Sequence, residues 1–178
     1  MKNKTEENRD RNTITVLNGK KVVLINDIRF QSRRNIQWNE IEEYIKEYIG
    51  KCYKILETSE EIYIAVDFPD EYSHSQDTKA VKGANEKAKA NAITVIGKLI
   101  EIADHKTEYP DYGNKHGNKA KYGWYRYDTR LGIPVYDENN VLKSYNIFSA
   151  RLLVRRDGNG KLYLYDIVRI KKETSKPL

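Results

Sequence analysis

Cysteine is almost missing from this sequence: Cys52 stands alone among 178 residues. A single thiol cannot close an internal disulfide, and with no Cys/His run at ligand spacing there is no framework for structural zinc. Lying between a helix and a strand, Cys52 is expected to be a small buried hydrophobe. Long apolar runs are absent as well, and no segment approaches the roughly 20 apolar residues of a bilayer-spanning helix. Met1 to Asn12 is polar and of mixed charge, without the apolar stretch of a secretory signal, so a cytoplasmic location and no membrane partner are expected. The chain also has no P-loop and no Rossmann glycine fingerprint, which leaves nucleotide hydrolysis and hydride transfer without support and implies no cofactor and no metal.

The residues that are present suit one folded unit. A composition of 39% hydrophobic and 33% charged residues supplies enough apolar surface for a core and excludes general disorder. At this length the chain reads as a single α+β domain over residues 13–178, preceded by a frayed tail over residues 1–12. Lys and Arg number 32 against 26 Asp and Glu, a net charge of +6 that favours polyanionic partners. Tyrosine outnumbers phenylalanine by 14 to 3 and is interleaved with cations. A flat apolar ring with a hydroxyl suits half-buried strands and stacking against nucleic-acid bases alike.

Periodicity gives the elements. Ile14–Leu17 and Val22–Ile25 flank Asn18-Gly19, a hairpin turn pair. Trp38, Ile41, Tyr44, Ile45 and Tyr48 have helical spacing, and Gly50 supplies the stop. Tyr53–Leu56 and Ile62–Val66 read as a second hairpin, Asp67–Asp77 as a surface loop. Ala84, Ala88, Ala92, Ile93, Ile96, Leu99, Ile100 and Ala103 form one stripe of a long helix over residues 78–104. Glu108–Lys119, rich in Gly and Asn, reads as a loop. Three strands follow, from Tyr122, from Tyr145 to Arg156 and from Leu162 to Lys171, joined by turns at Asp137–Asn140 and Arg156–Gly160. The expected architecture is amino-terminal hairpins and helices followed by an antiparallel β-meander with the long helix packed on it.

Three histidines carry most of the chemistry on offer. His74 lies in an acidic, serine-rich stretch and is read as incidental. His105 and Lys106 sit where a cation would complement a helix carboxyl end, while Lys115 and His116 fall in the following loop. Residues 121–130, Lys-Tyr-Gly-Trp-Tyr-Arg-Tyr-Asp-Thr-Arg, are denser in aromatics and cations than a strand requires. RNA cleavage without a metal needs a base for the 2′-hydroxyl, an acid for the departing oxygen and fixed cations around the phosphate. The expected chamber uses His105, His116, Arg126 and Tyr165 for proton transfer and charge stabilisation. Lys106, Lys115, Trp124, Arg130, Ser149, Arg151 and Tyr163 would hold the substrate. Trp124 also has the profile of a packing residue, and basic, tyrosine-rich sheet faces serve binding without catalysis.

Tyr122-Gly-Trp-Tyr-Arg-Tyr-Asp, Tyr145-Asn-Ile-Phe-Ser-Ala-Arg-Leu-Leu-Val-Arg and Lys161-Leu-Tyr-Leu-Tyr-Asp-Ile, running into Ile170-Lys-Lys-Glu-Thr-Ser-Lys-Pro-Leu178, resemble a domain of large polyvalent proteins of bacterial mobile elements and phages. That domain is related to the barnase, EndoU, colicin and RelE-like nuclease group. The likeness covers Trp38 to the carboxyl end and includes no diagnostic catalytic motif. It implies helices followed by an antiparallel sheet of about four strands, metal-independent RNase activity, and a toxin or effector role with RNA as substrate and an immunity or antitoxin protein as partner. Two functions therefore compete: an endoribonuclease, and a non-catalytic module that binds nucleic acid or protein. A structural accessory module of a mobile element without nucleic-acid contact is a third reading.

Overall fold

Asn18 and Gly19 do turn the chain with positive φ, 51° and 77°, as a tight hairpin requires. They join β1 (Thr13–Leu17) to β2 (Lys20–Leu24) in antiparallel register. This computed structural model describes residues 11–31, 35–110 and 115–177; most of the expected tail and part of the 108–119 loop lie outside them. Helix α1 (Trp38–Ile45) follows the predicted spacing, burying Ile41 and Ile45, and continues as a 3-10 turn over Lys46–Tyr48 before Gly50 turns at φ 87°. The short hairpin of β3 (Cys52–Lys54) and β4 (Glu61–Tyr63) also stands where expected.

The middle of the chain departs from expectation. Residues 68–74 are helix α2 (Phe68–His74), with proline in its first turn, where the missing N–H costs nothing. The single long helix is instead three: α3 (Gln76–Ala80), α4 (Gly83–Ala92) and, after a 3-10 turn over Ile93–Val95, α5 (Ile96–Glu101). The breaks are local: Val81 is extended and Gly83 adopts φ 61°, a conformation an L side chain resists. The apolar stripe survives the breaks, since Ala88, Ala92, Ile93, Ile96, Leu99 and Ile100 are all buried in the main core.

β5 (Asp104–Tyr109) occupies what was expected to be a helix end and a loop. Its residues are nearly all exposed, so it has none of the apolar alternation that would mark a strand. β6 (Trp124–Tyr136), β7 (Leu142–Arg156) and β8 (Leu162–Pro177) form the antiparallel meander. They belong, however, to one eight-stranded mixed sheet of order β1-β2-β6-β7-β8-β4-β3, with β5 also on β6. The pairings β2–β6 and β4–β8 are parallel and correct the purely antiparallel picture. The α+β class stands.

One face of β6 and β7 carries Tyr125, Tyr127, Leu131, Phe148, Ala150, Leu152 and Val154 into the core beneath the helices. On β8 strict alternation breaks: Asp166 and Ile167, neighbours in the chain, are both buried, because register shifts at Leu153/Val154 and Ser149/Arg151 insert extra residues. Cys52 is exposed rather than buried, because it sits on β3 at the outer edge of the sheet. Among the described residues, no helix is long and apolar enough to cross a membrane.

Candidate nucleic-acid interface

Alternation along β6 sends Trp124, Arg126, Asp128 and Arg130 to the face opposite the core, and their partners on β7 are Arg155, Leu153, Arg151 and Ser149. The expected site residues of β6 and β7, Trp124, Arg126, Arg130, Ser149 and Arg151, therefore share one face of the sheet. They do not share one site. Trp124 and Asp128 are four residues apart on the strand, about 13 Å at the usual rise of ~3.3 Å per residue.

At the Trp124 end, His116 rests edge-on against Trp124 and Tyr165, with ring centroids 4.9 and 5.5 Å away, and the two larger rings are themselves 4.9 Å apart. Trp124 is buried in this trio, which fits packing and leaves no ring face for a base. Burial and Glu71 push the Tyr165 hydroxyl well above its usual range, so it stays a neutral donor. Arg155, absent from the sequence expectations, locks this end. It is 4% exposed, lies 4.5 Å over the Tyr163 ring, donates to the Lys119 carbonyl at 3.0 Å, and reaches Asp157 and Asp67 at 3.4 and 3.5 Å. Tyr163 is thus covered, its hydroxyl accepting from Asn159 Nδ2 at 3.3 Å. Lys115 is exposed beside this end.

At the Asp128 end, a β-bulge between Asp104 and Thr107 puts His105 in left-handed conformation, φ 52°. The bulge aims the ring at carboxylates on two strands: Nδ1 lies 2.8 Å from Asp104 Oδ1 and 3.8 Å from Asp128 Oδ2. The hydrogen bond to Asp104 and that residue's charge, with Asp128 and Glu57 adding, raise the His105 pKa. Arg151 Nε sits 3.6 Å from Asp128 Oδ1. Lys106, the next residue, points to the other face, held by Glu60 at 2.8 Å and lying 4.3 Å over the Tyr125 ring. It is separated from the residues it was expected to assist. Burial tends to raise the Glu60 pKa, but hydrogen bonds from Lys106, Thr58 and Tyr127 outweigh it and leave it lowered.

Beside His105 the outer face sinks into a trough of about 330 Å3 lined by Asp128, Arg130, Ser149, Arg151, Arg169, Lys171 and Glu173. Four cations stand against two carboxylates here. Glu173 ties Arg130 at 3.1 Å, while Arg169 and Lys171 extend from β8 into solvent. Of these residues the expected substrate contacts include Arg130, Ser149 and Arg151 and not Arg169, which adopts φ 54° at the β8 irregularity. Arg126 lies between the two ends with its guanidinium 4.5 Å over the Tyr109 ring.

The ligand atoms of Asp104, His105 and Asp128 lie within 4.8 Å of one another, a set that can hold a metal ion. Comparison with protein-family models, with curated proteins and with solved structures found no match to this chain.

Proposed function

We propose that the outer face of the sheet binds the phosphodiester backbone of RNA, with Arg130, Arg151, Arg169 and Lys171 contacting phosphates. The observation that carries this reading is the trough itself: four cations from three strands line one depression, and all of its described lining residues belong to β6, β7 and β8. Guanidinium and ammonium groups held on a rigid sheet bind phosphate with little ordering cost. The Arg126–Tyr109 stack beside the trough favours single-stranded RNA, because cation–aromatic surfaces accept unpaired bases. An immunity or antitoxin protein of the kind the resemblance implies would occupy this same face.

Fluorescence anisotropy with a single-stranded RNA oligonucleotide tests this. Arg151→Ala is expected to weaken binding and to reduce the slope of log affinity against log salt by about 0.7. A slope equal to that of wild type would remove Arg151 from the contact.

A second reading, metal-independent cleavage of the bound strand, is favoured by His105 at the rim of the trough. Its pKa is raised and Asp128 connects it to Arg151, so it can deliver a proton beside a bound phosphate. His116, about 13 Å along β6, cannot be its partner at one phosphate. In this reading total RNA incubated with the protein and EDTA is cut, and His105→Ala stops the cutting while His116→Ala does not. Intact RNA with wild-type protein would leave binding alone.

A further inference from the structure

His74, dismissed by sequence as incidental, takes part in a second constellation away from the sheet. It lies one helical turn after Asp70 on α2, so both side chains leave the same face of the helix. Against that face packs α1, and its Glu42 places Oε2 2.9 Å from His74 Nε2. One ligand atom from each of Glu42, Asp70 and His74 lies within 4.8 Å of the others. Two ligands on one tetrahedral ion with bonds of ~2.0–2.1 Å stand about 3.3 Å apart, so small side-chain adjustments suffice for all three to share an ion.

The backbones that carry these ligands are fixed. Ile41 and Ile45 anchor α1 in the core, Phe68 and Tyr72 anchor α2, and Trp38 packs edge-on against Tyr72 across the helix pair, centroids 6.3 Å apart. Lys46, the cation close enough for Glu42 to feel, is neutralised by Glu43 at 2.5 Å. The Asp104–His105–Asp128 set, by contrast, lies in a recess with Lys20, Lys21 and Arg130, which repel a cation.

We propose that Glu42, Asp70 and His74 bind a divalent transition-metal ion of the zinc class and that the bound ion ties α1 to α2. One imidazole and two carboxylates with a coordination position left for water suit Zn2+ or Co2+ in preference to the all-oxygen sites of Ca2+ and Mg2+. The site is separate from the RNA-binding face and does not depend on that reading.

The test is titration of the full, untagged chain with CoCl2, following the visible absorption of tetrahedral cobalt and its displacement by ZnCl2, with melting temperature measured in parallel. Wild type is expected to bind one equivalent, and zinc is expected to raise its melting temperature. His74→Ala and Asp70→Asn should each weaken binding by at least about tenfold while keeping the wild-type far-UV circular dichroism. His105→Ala should bind as wild type does. Absence of both the absorption band and the melting shift, equal affinity in either α2 variant, or loss of binding in His105→Ala would each overturn the assignment.

Discussion

Lys89→Met is expected to cost about 3–5 kcal/mol of folding stability in urea denaturation, the loss typical when one partner of a buried ion pair is removed. Lys89 is fully buried, its ammonium 2.7 Å from Asp77 and 3.0 Å from Asp166, and lies 5.2 Å over the Tyr72 ring. Tyr72 in turn donates to the Lys89 carbonyl. Methionine fills the volume but leaves the Asp166 carboxylate buried without its counter-ion. Asp166→Asn in the same chain should restore part of the loss, because a neutral amide needs none.

The pH dependence follows from Asp166. Burial, with Asp77 adding, pushes its carboxyl up to about 6 although Lys89 and Ser75 pull it down. A carboxyl whose folded pKa is raised binds its proton more tightly when folded, so its contribution to stability declines as pH rises from about 4 to about 6 and is flat above. Without Lys89 the folded pKa rises further and the decline continues past 6. The deficit of Lys89→Met relative to wild type should therefore be smaller at pH 5 than at pH 8; an equal deficit at both would contradict this account of the network. The network also bears on the interface, since the Arg169 amide donates to Asp77 at 3.4 Å, beside the segment of β8 that enters the trough.

Gly123→Ala is the second large effect, a loss of about 2–4 kcal/mol. Gly123 adopts φ 94°, and a β-carbon there would meet the Tyr109 carbonyl oxygen at 2.7 Å. Backbone lies on the far side of that contact, so no flexible side chain can yield. Gly123 also donates to Ala120 at 2.9 Å and accepts from Arg156 at 3.0 Å, which fixes the entry of β6 against both β7 and the 3-10 turn over Gly117–Ala120. Relief of the clash must push β5 away from β6 at Tyr109–Trp124, and near-ultraviolet circular dichroism of the Trp124 environment should change along with the urea midpoint. A variant with wild-type stability and spectrum would show that this approach is not constrained.

What could be read from the sequence was local and periodic. Asn18-Gly19 and the α1 spacing each depend on residues close in the chain, and each stands as expected. Ser149 and Arg151 alternate along β7 with Phe148, Ala150 and Leu152, which lie in the core. The parallel pairings of β2 with β6 and of β4 with β8 were not legible, because alternation tells which face is buried and not which strand lies beside it. β5 was lost to its polarity, and with it the position of His105, which the bulge rather than a helix end determines. His116 and His105, 11 residues apart in sequence, looked like neighbours, but the strand between them carries them to opposite ends of one sheet face.

The central claim, that the trough rather than net charge attracts RNA, is tested most directly by anisotropy titrations at 50 and 200 mM salt with two variants of equal charge. One is Arg151→Gln/Lys171→Gln in the trough, and the other is Lys51→Gln/Lys54→Gln by the β3 edge, two strands beyond β8. With four phosphate contacts, wild-type affinity for a single strand should fall about 50-fold between the two salt concentrations. The trough variant, with two contacts left, should fall only about sevenfold and bind more weakly at low salt. The edge variant should follow wild type. Equal losses in the two variants would show that general charge and not the trough holds the RNA, and would contradict the account.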